Sequence, residues 1–249
     1  VPGMLVVSVD THCTTIGGVG AIAPPINYEA VQALATGETW LKVPETIKVV
    51  LHGKPRPGVY SRDIGQQLIA ALGPERCDYR VIQFAGPAVP SLDMDMRMTL
   101  CNVTVDVGAK TGVVEGDAVT AEYLRDRTRQ PFELVTSDPD AEYAELHEFD
   151  LSAFEPMIAM PPRPDNVVGI SRVAGIKVDQ VYIGSCAGGR MEDLRAAAAV
   201  LKGRRVHPAV RMFVIPTSQE IYIQASREGL LADIAAAGAV VGAPSCGPC

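Results

Sequence analysis

From Val178 onward, short apolar runs alternate with amphipathic segments: Val178 to Ile183, an Ala-rich Met191 to Leu201, Met212 to Ile215, Gln219 to Ala236, and Ala239 to Gly242. The short runs are of strand length, and the segments between them place apolar residues at helical spacing, so the order predicts strand, helix, strand, helix, strand. Strands separated by whole helices cannot pair as hairpins. They pair in parallel, with the helices packed on the sheet.

The same alternation runs through the earlier chain. Ile47–Leu51 reads as a strand, the stretch from Gly53 to Gly58 as Pro/Gly punctuation, Arg62–Leu72 as a helix and Tyr79–Phe84 as a strand. A helix is expected from near Leu92, carrying Met94, Met96, Met98, Cys101 and Asn102, with its methionines filling core gaps. Gly3 to Val9 reads as a buried strand ending at Asp10-Thr11-His12, and the small residues Gly17 to Ala21 after it allow close packing. Residues 125–148 turn polar and irregular and read as a crossing between domains, with Pro161-Pro162-Arg163-Pro164 a second stiff connector. No internal repeat is visible.

With 249 residues, 47% of them hydrophobic, the chain can bury a sizeable core. Its apolar runs are broken well short of the ~20 residues a membrane span needs, and the opening has no basic stretch before an apolar one, so a soluble, cytoplasmic protein without membrane contact is expected. The net charge of -7, the isoelectric point near 5.1 and the lack of a Lys/Arg cluster flanked by aromatics argue against nucleic-acid binding. An anionic substrate would be met by a few placed cations or by helix N-termini. Six cysteines are too sparse for a disulfide scaffold and suit a reducing compartment.

Where those cysteines fall is informative. Cys246-Gly247-Pro248-Cys249 is a tight turn able to hold two corners of a soft-metal centre, and Cys186, in Gly184-Ser185-Cys186-Ala187-Gly188-Gly189-Arg190, follows a predicted strand. Three thiolates leave one coordination position open, as a Lewis-acid catalyst requires. A structural zinc is the alternative, weakened by the absence of a fourth Cys or His near either motif. Gly184, Gly188 and Gly189 leave room for backbone to approach a bulky centre. Asp10 and His12, two apart, share a face if extended, and Asn102 and Asp106, four apart, share a face of the predicted helix. Arg190 suits either a carboxylate ligand or an ion pair with Glu192 or Asp193.

Taken with Val9-Asp10-Thr11-His12, Cys101-Asn102-Val103-Thr104-Val105-Asp106, Pro164-Asp165-Asn166-Val167-Val168, Glu192-Asp193-Leu194-Arg195 and Ile215-Pro216-Thr217-Ser218-Gln219-Glu220, these motifs resemble the aconitase family of iron-sulfur hydro-lyases nearly end to end. Within it the likeness is to the branch acting on isopropylmalate and homoaconitate. The resemblance implies that Cys186, Cys246 and Cys249 bind three irons of a 4Fe-4S cluster. It also implies that Asn102 lies beside the cluster, that Asp106 pairs with His12, and that Asp10 and His12 belong to the catalytic pocket. Arg190 matches an arginine of the isopropylmalate branch and would contact substrate. Cys13, Cys77 and Cys101 match no cluster position and read as inert thiols. The chain departs from the family pattern at several sites: Thr11 stands for Ser, Asp106 for Glu, Ala187-Gly188 for Thr-Asn, and Thr217 and Ser245 for Gly.

The resemblance implies aconitase-like three-layer α/β/α domains with mainly parallel sheets, incomplete in this chain. The expected pieces are the end of a first domain over residues 1–45, a second domain with its linker over 46–147, and the start of a third over 148–249. The implied function is dehydration and rehydration of a 2-hydroxy di- or tricarboxylate such as 3-isopropylmalate, in leucine biosynthesis, or homocitrate. A non-catalytic iron-sulfur or redox-sensing module is the alternative. The family's further His/Asp residues, its Arg-rich substrate segment and the base carried on a small subunit or domain have no counterpart here, so an internal piece, inactive alone, is expected.

Overall fold

The computed structural model describes residues 1–249, which divide into two compact units, Val1–Ile170 and Ser171–Cys249. The second boundary expected from sequence, at 147/148, falls inside a strand of the first unit.

That unit is built on a four-stranded parallel sheet. Its strands are β1 (Thr46–His52), β2 (Val81–Ala85), β3 (Thr111–Val114) and β4 (Glu145–Asp150), in the order β3-β2-β1-β4. β1 alternates cleanly, with Ile47, Val49 and Leu51 fully buried. Of its helices, α1 (Glu29–Thr36) comes first and buries none of its residues. α2 (Ser61–Leu72) sets Ile64, Leu68, Ile69 and Leu72 into the core, and the short α3 (Pro74–Cys77) leads into β2. α4 (Met94–Val103) starts where Asp93 Oδ1 accepts from the Met96 amide at 2.9 Å, satisfying one of the free N–H groups of a helix start. α5 (Ala118–Leu124) follows β3 and is capped in the same way by Asp117. A small antiparallel pair, β5 (Met157–Ala159) with β6 (Val167–Gly169), also belongs to this unit.

Arg97, inside α4, is fully buried. Its two guanidinium nitrogens each meet an Asp117 carboxylate oxygen at 2.7 Å, and Nε and Nη2 also donate to the Leu92 and Val89 carbonyls at 3.0 Å. Burial opposes ionisation of Asp117, but Arg97 and the capped amides hold its carboxyl below the usual range.

The second unit has a three-stranded parallel sheet, β7 (Gln180–Gly184), β8 (Arg211–Ile215) and β9 (Val240–Val241), in that order. α6 (Met191–Leu201), α7 (Gln219–Arg227) and α8 (Leu230–Ala236) bury Leu194, Ile221, Ala225 and Ile234 against it.

Four expectations are corrected. Gly3 to Val9 is not a buried strand: it makes isolated parallel bridges, Leu5 to Ile22 and Ser8 to Pro25, and Leu5 and Val9 are exposed. Residues 125–148 do not stay irregular, because β4 begins at Glu145. It pairs with β1 along one edge only, and such an edge tolerates the charges that hid it in the sequence. The single helix expected from Gln219 to Ala236 is two helices, since Gly229 adopts the left-handed conformation between them. Finally, α4 ends at Val103, so Asp106 lies in a following 3-10 turn, Thr104–Val107, and not on the helix of Asn102. No helix is long and apolar enough to cross a membrane.

Candidate functional site

His12 sits in a 3-10 turn, Thr11–Val19, that packs on β3 and α4. Glycine makes this possible: a Cβ on Gly17 would run into the Gly112 carbonyl, and one on Gly18 would lie 2.9 Å from Met98. Close packing, as expected of the small residues after His12, accounts for both.

The turn opens with Asp10 as its cap, the side chain accepting from the His12 amide at 2.7 Å. Asp10 therefore spends its carboxylate on backbone, and the extended geometry expected of the pair is replaced by a turn. Thr15 Oγ1 donates to the His12 carbonyl at 2.8 Å, and Asn102 Nδ2 donates to Thr15 Oγ1 at 2.7 Å. Thr14 Oγ1 donates to the Asn102 carbonyl at 3.2 Å. The turn is thus tied to the last turn of α4, and Asn102, wholly buried, keeps Oδ1 without a partner.

The imidazole Nε2 stands 3.4 Å from Asp106 Oδ1. That is long beside the ~2.8 Å of a tight charge-assisted bond, as an acid one methylene shorter than Glu would give. Asp106 still raises the His12 pKa above its ordinary value; burial works against it, Asp10 adds to it, and Arg62 subtracts. On the other ring nitrogen, Thr11 Oγ1 lies 3.3 Å from Nδ1, so Thr at this position keeps a hydroxyl for the imidazole.

In the second unit Cys186 follows β7 through Ser185, a non-glycine residue at φ 64°. Left-handed backbone costs such a residue about 1–2 kcal/mol and persists only where contacts enforce it. Thr217, just past β8, supplies one: its Oγ1 donates to the Ser185 carbonyl at 2.8 Å, while its amide donates to the Gly189 carbonyl at 2.9 Å. Arg190, 4% exposed, donates from Nη2 to the Cys186 carbonyl at 3.3 Å. Gly184 and Gly189 are required by packing, because a Cβ on either would press on the Ile215 carbonyl.

Cys246 and Cys249 follow β9 in a turn closed by the Cys249 amide donating to the Cys246 carbonyl at 3.1 Å. Tyr182, on β7, joins this turn to the Cys186 loop, its hydroxyl donating to the Cys246 carbonyl at 2.8 Å. Burial raises the pKa of that hydroxyl, and the Cys249, Cys246 and Cys186 thiols all raise it further. The Cys186 loop and the Cys246–Cys249 turn thus both follow the C-terminal end of one parallel sheet, the end where open α/β sheets bind ligands.

The donor set fits an iron-sulfur cluster: three free thiols, Cys186 half-buried and the other two exposed, on loops that meet. No group of three or more His, Cys, Asp or Glu is arranged to hold a single metal ion. A cluster does not ask for that, since each thiolate takes its own iron and the sulfurs stand several ångströms apart.

The remaining cysteines differ. Cys13, Cys77 and Cys101 are buried, and burial raises the pKa of each, to about 11 for Cys77. Such thiols are poor nucleophiles and poor metal ligands. The sequence offered no signal for Arg62, whose Nη2 lies 3.7 Å from Asp106 Oδ2, nor for the hydroxyls of Tyr182 and Thr217, because their partners are distant in the chain.

A family model described as "Aconitase family (aconitate hydratase)" matches residues 1–249. Over its whole length the chain is 44% identical to the 3-isopropylmalate dehydratase large subunit of Sulfurihydrogenibium sp. and to 3-isopropylmalate dehydratase large subunit 1 of Pyrococcus furiosus, covering 58% and 59% of those proteins. It is 41% identical to a probable methanogen homoaconitase large subunit of Methanothermobacter thermautotrophicus, covering 58%. The chain thus spans about three fifths of the length of the curated relatives it matches.

Proposed function

The chain belongs to the aconitase family and has its mainly parallel α/β architecture, and from that premise we propose that it carries the cluster thiolates and one histidine-acid pair of a hydro-lyase large subunit. The substrate is a 2-hydroxy di- or tricarboxylate, 3-isopropylmalate or homocitrate, in keeping with the names of its relatives. The observation that carries this reading is that Cys186 and the Cys246–Cys249 turn follow the same end of one parallel sheet, where Tyr182 of β7 bonds the Cys246 carbonyl.

When bound, a 4Fe-4S cluster on these thiolates supplies a Lewis acid for a hydroxyl and a carboxylate, with no net electron transfer. The chain's own residues do the rest of what it contributes. His12, whose protonated form Asp106 favours, supplies or holds the proton of the departing hydroxyl. Asp10 fixes the turn that presents it. Asn102, bonded to Thr15, holds the His12 turn to α4, and Arg190, already holding the Cys186 carbonyl, is assigned to the carboxylate end of the substrate. The family's three-domain division, expected over residues 1–45, 46–147 and 148–249, is proposed for this chain.

The catalytic base is assigned to a separate small subunit or domain, in keeping with relatives named as large subunits. Exposed apolar residues around α1, among them Val31, Leu34, Trp40 and Val43, support a face that further polypeptide covers. The test is a hydration and dehydration assay on isopropylmalate, homocitrate and citrate. The reconstituted chain alone should be inactive, because losing a positioned base costs ~100-fold to ~10,000-fold. A supplied small subunit and the relatives' flanking segments should restore turnover. Ordinary rates from the chain alone would overturn this division of labour.

A further inference from the structure

Asp106 has two oxygens, and the structure gives each a different neighbour. Oδ1 faces His12 Nε2 at 3.4 Å, and Oδ2 faces Arg62 Nη2 at 3.7 Å. Arg62 is itself held. The Gln66 amide, 5% exposed, lies between a carbonyl and a guanidinium, which orients its oxygen toward Arg62 Nε and Nη2, at 3.2 and 2.9 Å, and its nitrogen toward the Pro164 carbonyl at 3.1 Å. Pro164, Gln66, Arg62, Asp106 and His12 thus form one line of polar contacts within the first unit, from a connector through α2 to the His12 turn. The neighbouring Asp63 cannot draw Arg62 away, since its oxygens accept from the Tyr60 and Met157 amides.

From this line we infer that Arg62 is a positioning residue for the His12–Asp106 pair. It holds one carboxylate oxygen so that the other stays turned toward the imidazole. Such a residue matters more here than beside a Glu, because the shorter acid reaches His12 only at 3.4 Å and a rotation about its side chain would break the contact. Its meaning for catalysis rests on the proposed role of His12, but its geometry does not.

The charged groups acting on His12 are Asp106, Asp10 and Arg62, and removing Arg62 has two opposite effects on the imidazole. Losing a nearby cation raises the His12 pKa, whereas losing the hold on Asp106 lowers it. The Asp106 contact is the largest influence on His12 and the Arg62 charge the smallest, so the second effect should win.

The test is an NMR pH titration of the histidine ring protons in the whole chain, with the His12 signal assigned from its loss in His12→Gln. In Arg62→Met the His12 midpoint should move down, toward that of Asp106→Asn. Arg62→Lys should recover only part of the shift, since an ammonium lacks the fork that Gln66 and Asp106 share. An unchanged or upward-shifted midpoint in Arg62→Met would overturn the inference, the upward shift showing that Arg62 acts by repulsion alone. His147, paired with Glu145 at 2.8 Å, reports whether each variant is folded. Should Arg62→Met fail to fold, Arg62→Gln gives the same reading. Because the titration needs neither cluster nor turnover, its failure and failure of the hydro-lyase reading can be told apart.

Discussion

The His12 turn and the thiolate loops are held in place by different means. The turn is wedged between β3 and α4 through glycines that admit no side chain, and Thr14, Thr15 and Asn102 bond it to α4. The thiolate loops hang from sheet ends, with Cys246 and Cys249 exposed, and only a few bonds from Tyr182, Thr217 and Arg190 fix them. Acid chemistry tolerates little misplacement, so its groups are set by packing. Metal ligands can be drawn to their final geometry by the metal itself, so a lighter framework suffices.

The sharpest way to break this contrast is to loosen α4. Arg97→Met leaves Asp117 without its buried partner and should cost about 3 kcal/mol in chemical denaturation, carrying the His12 turn with it and sparing the Tyr182–Cys246 contact. The pH dependence has a definite sign. The Asp117 pKa is depressed in the folded state, so its contribution is present above the usual carboxylate range and is lost as pH falls through the folded value. The variant should lose that acid-side decline. Equal stability of variant and parent at neutral pH would contradict the role given to the pair.

A smaller effect is expected on the other side. Tyr182→Phe removes one hydrogen bond, at most about 1 kcal/mol, and should speed cluster loss on exposure to chelator while leaving the His12 titration unchanged. If chelation proceeds at the parent rate, the tyrosine does not secure the turn.

The smallest effect is that of Asp106→Asn. His12 has a raised folded pKa, so the pair stabilises fully below the unfolded histidine value and loses that contribution as pH rises through the folded one. Partly exposed as it is, the contact is worth under about 1 kcal/mol, and the variant should flatten that stretch of the stability profile. A profile identical to the parent's would show that the pair is not coupled to folding.

The sequence made the parallel alternation legible because buried parallel strands are nearly continuous apolar runs, as β2 and β8 nearly are. It hid β4, whose Glu145, Glu148 and Asp150 suit an edge, and it could not reveal that Gly3 to Val9 would be left half-paired. At the site, residue type and spacing flagged the cysteines, and the resemblance to the family singled out His12 and Asp106. Arg62, Tyr182 and Thr217 were beyond reach, because each acts through a hydrogen bond or ion pair to a residue far along the chain, and no spacing encodes such a meeting. Arg97 carries no sign of burial in the sequence, and only the closure of α4 on Asp117 shows it to be core.

The most direct test of the account is anaerobic reconstitution of the chain with iron and sulfide, followed by absorbance and metal analysis. The parent should take up an iron-sulfur cluster, and Cys186→Ser, Cys246→Ser and Cys249→Ser should each lose it, while Cys101→Ser keeps it. A parent that binds one zinc tetrahedrally and no cluster, or a cluster undiminished in Cys186→Ser, would contradict it.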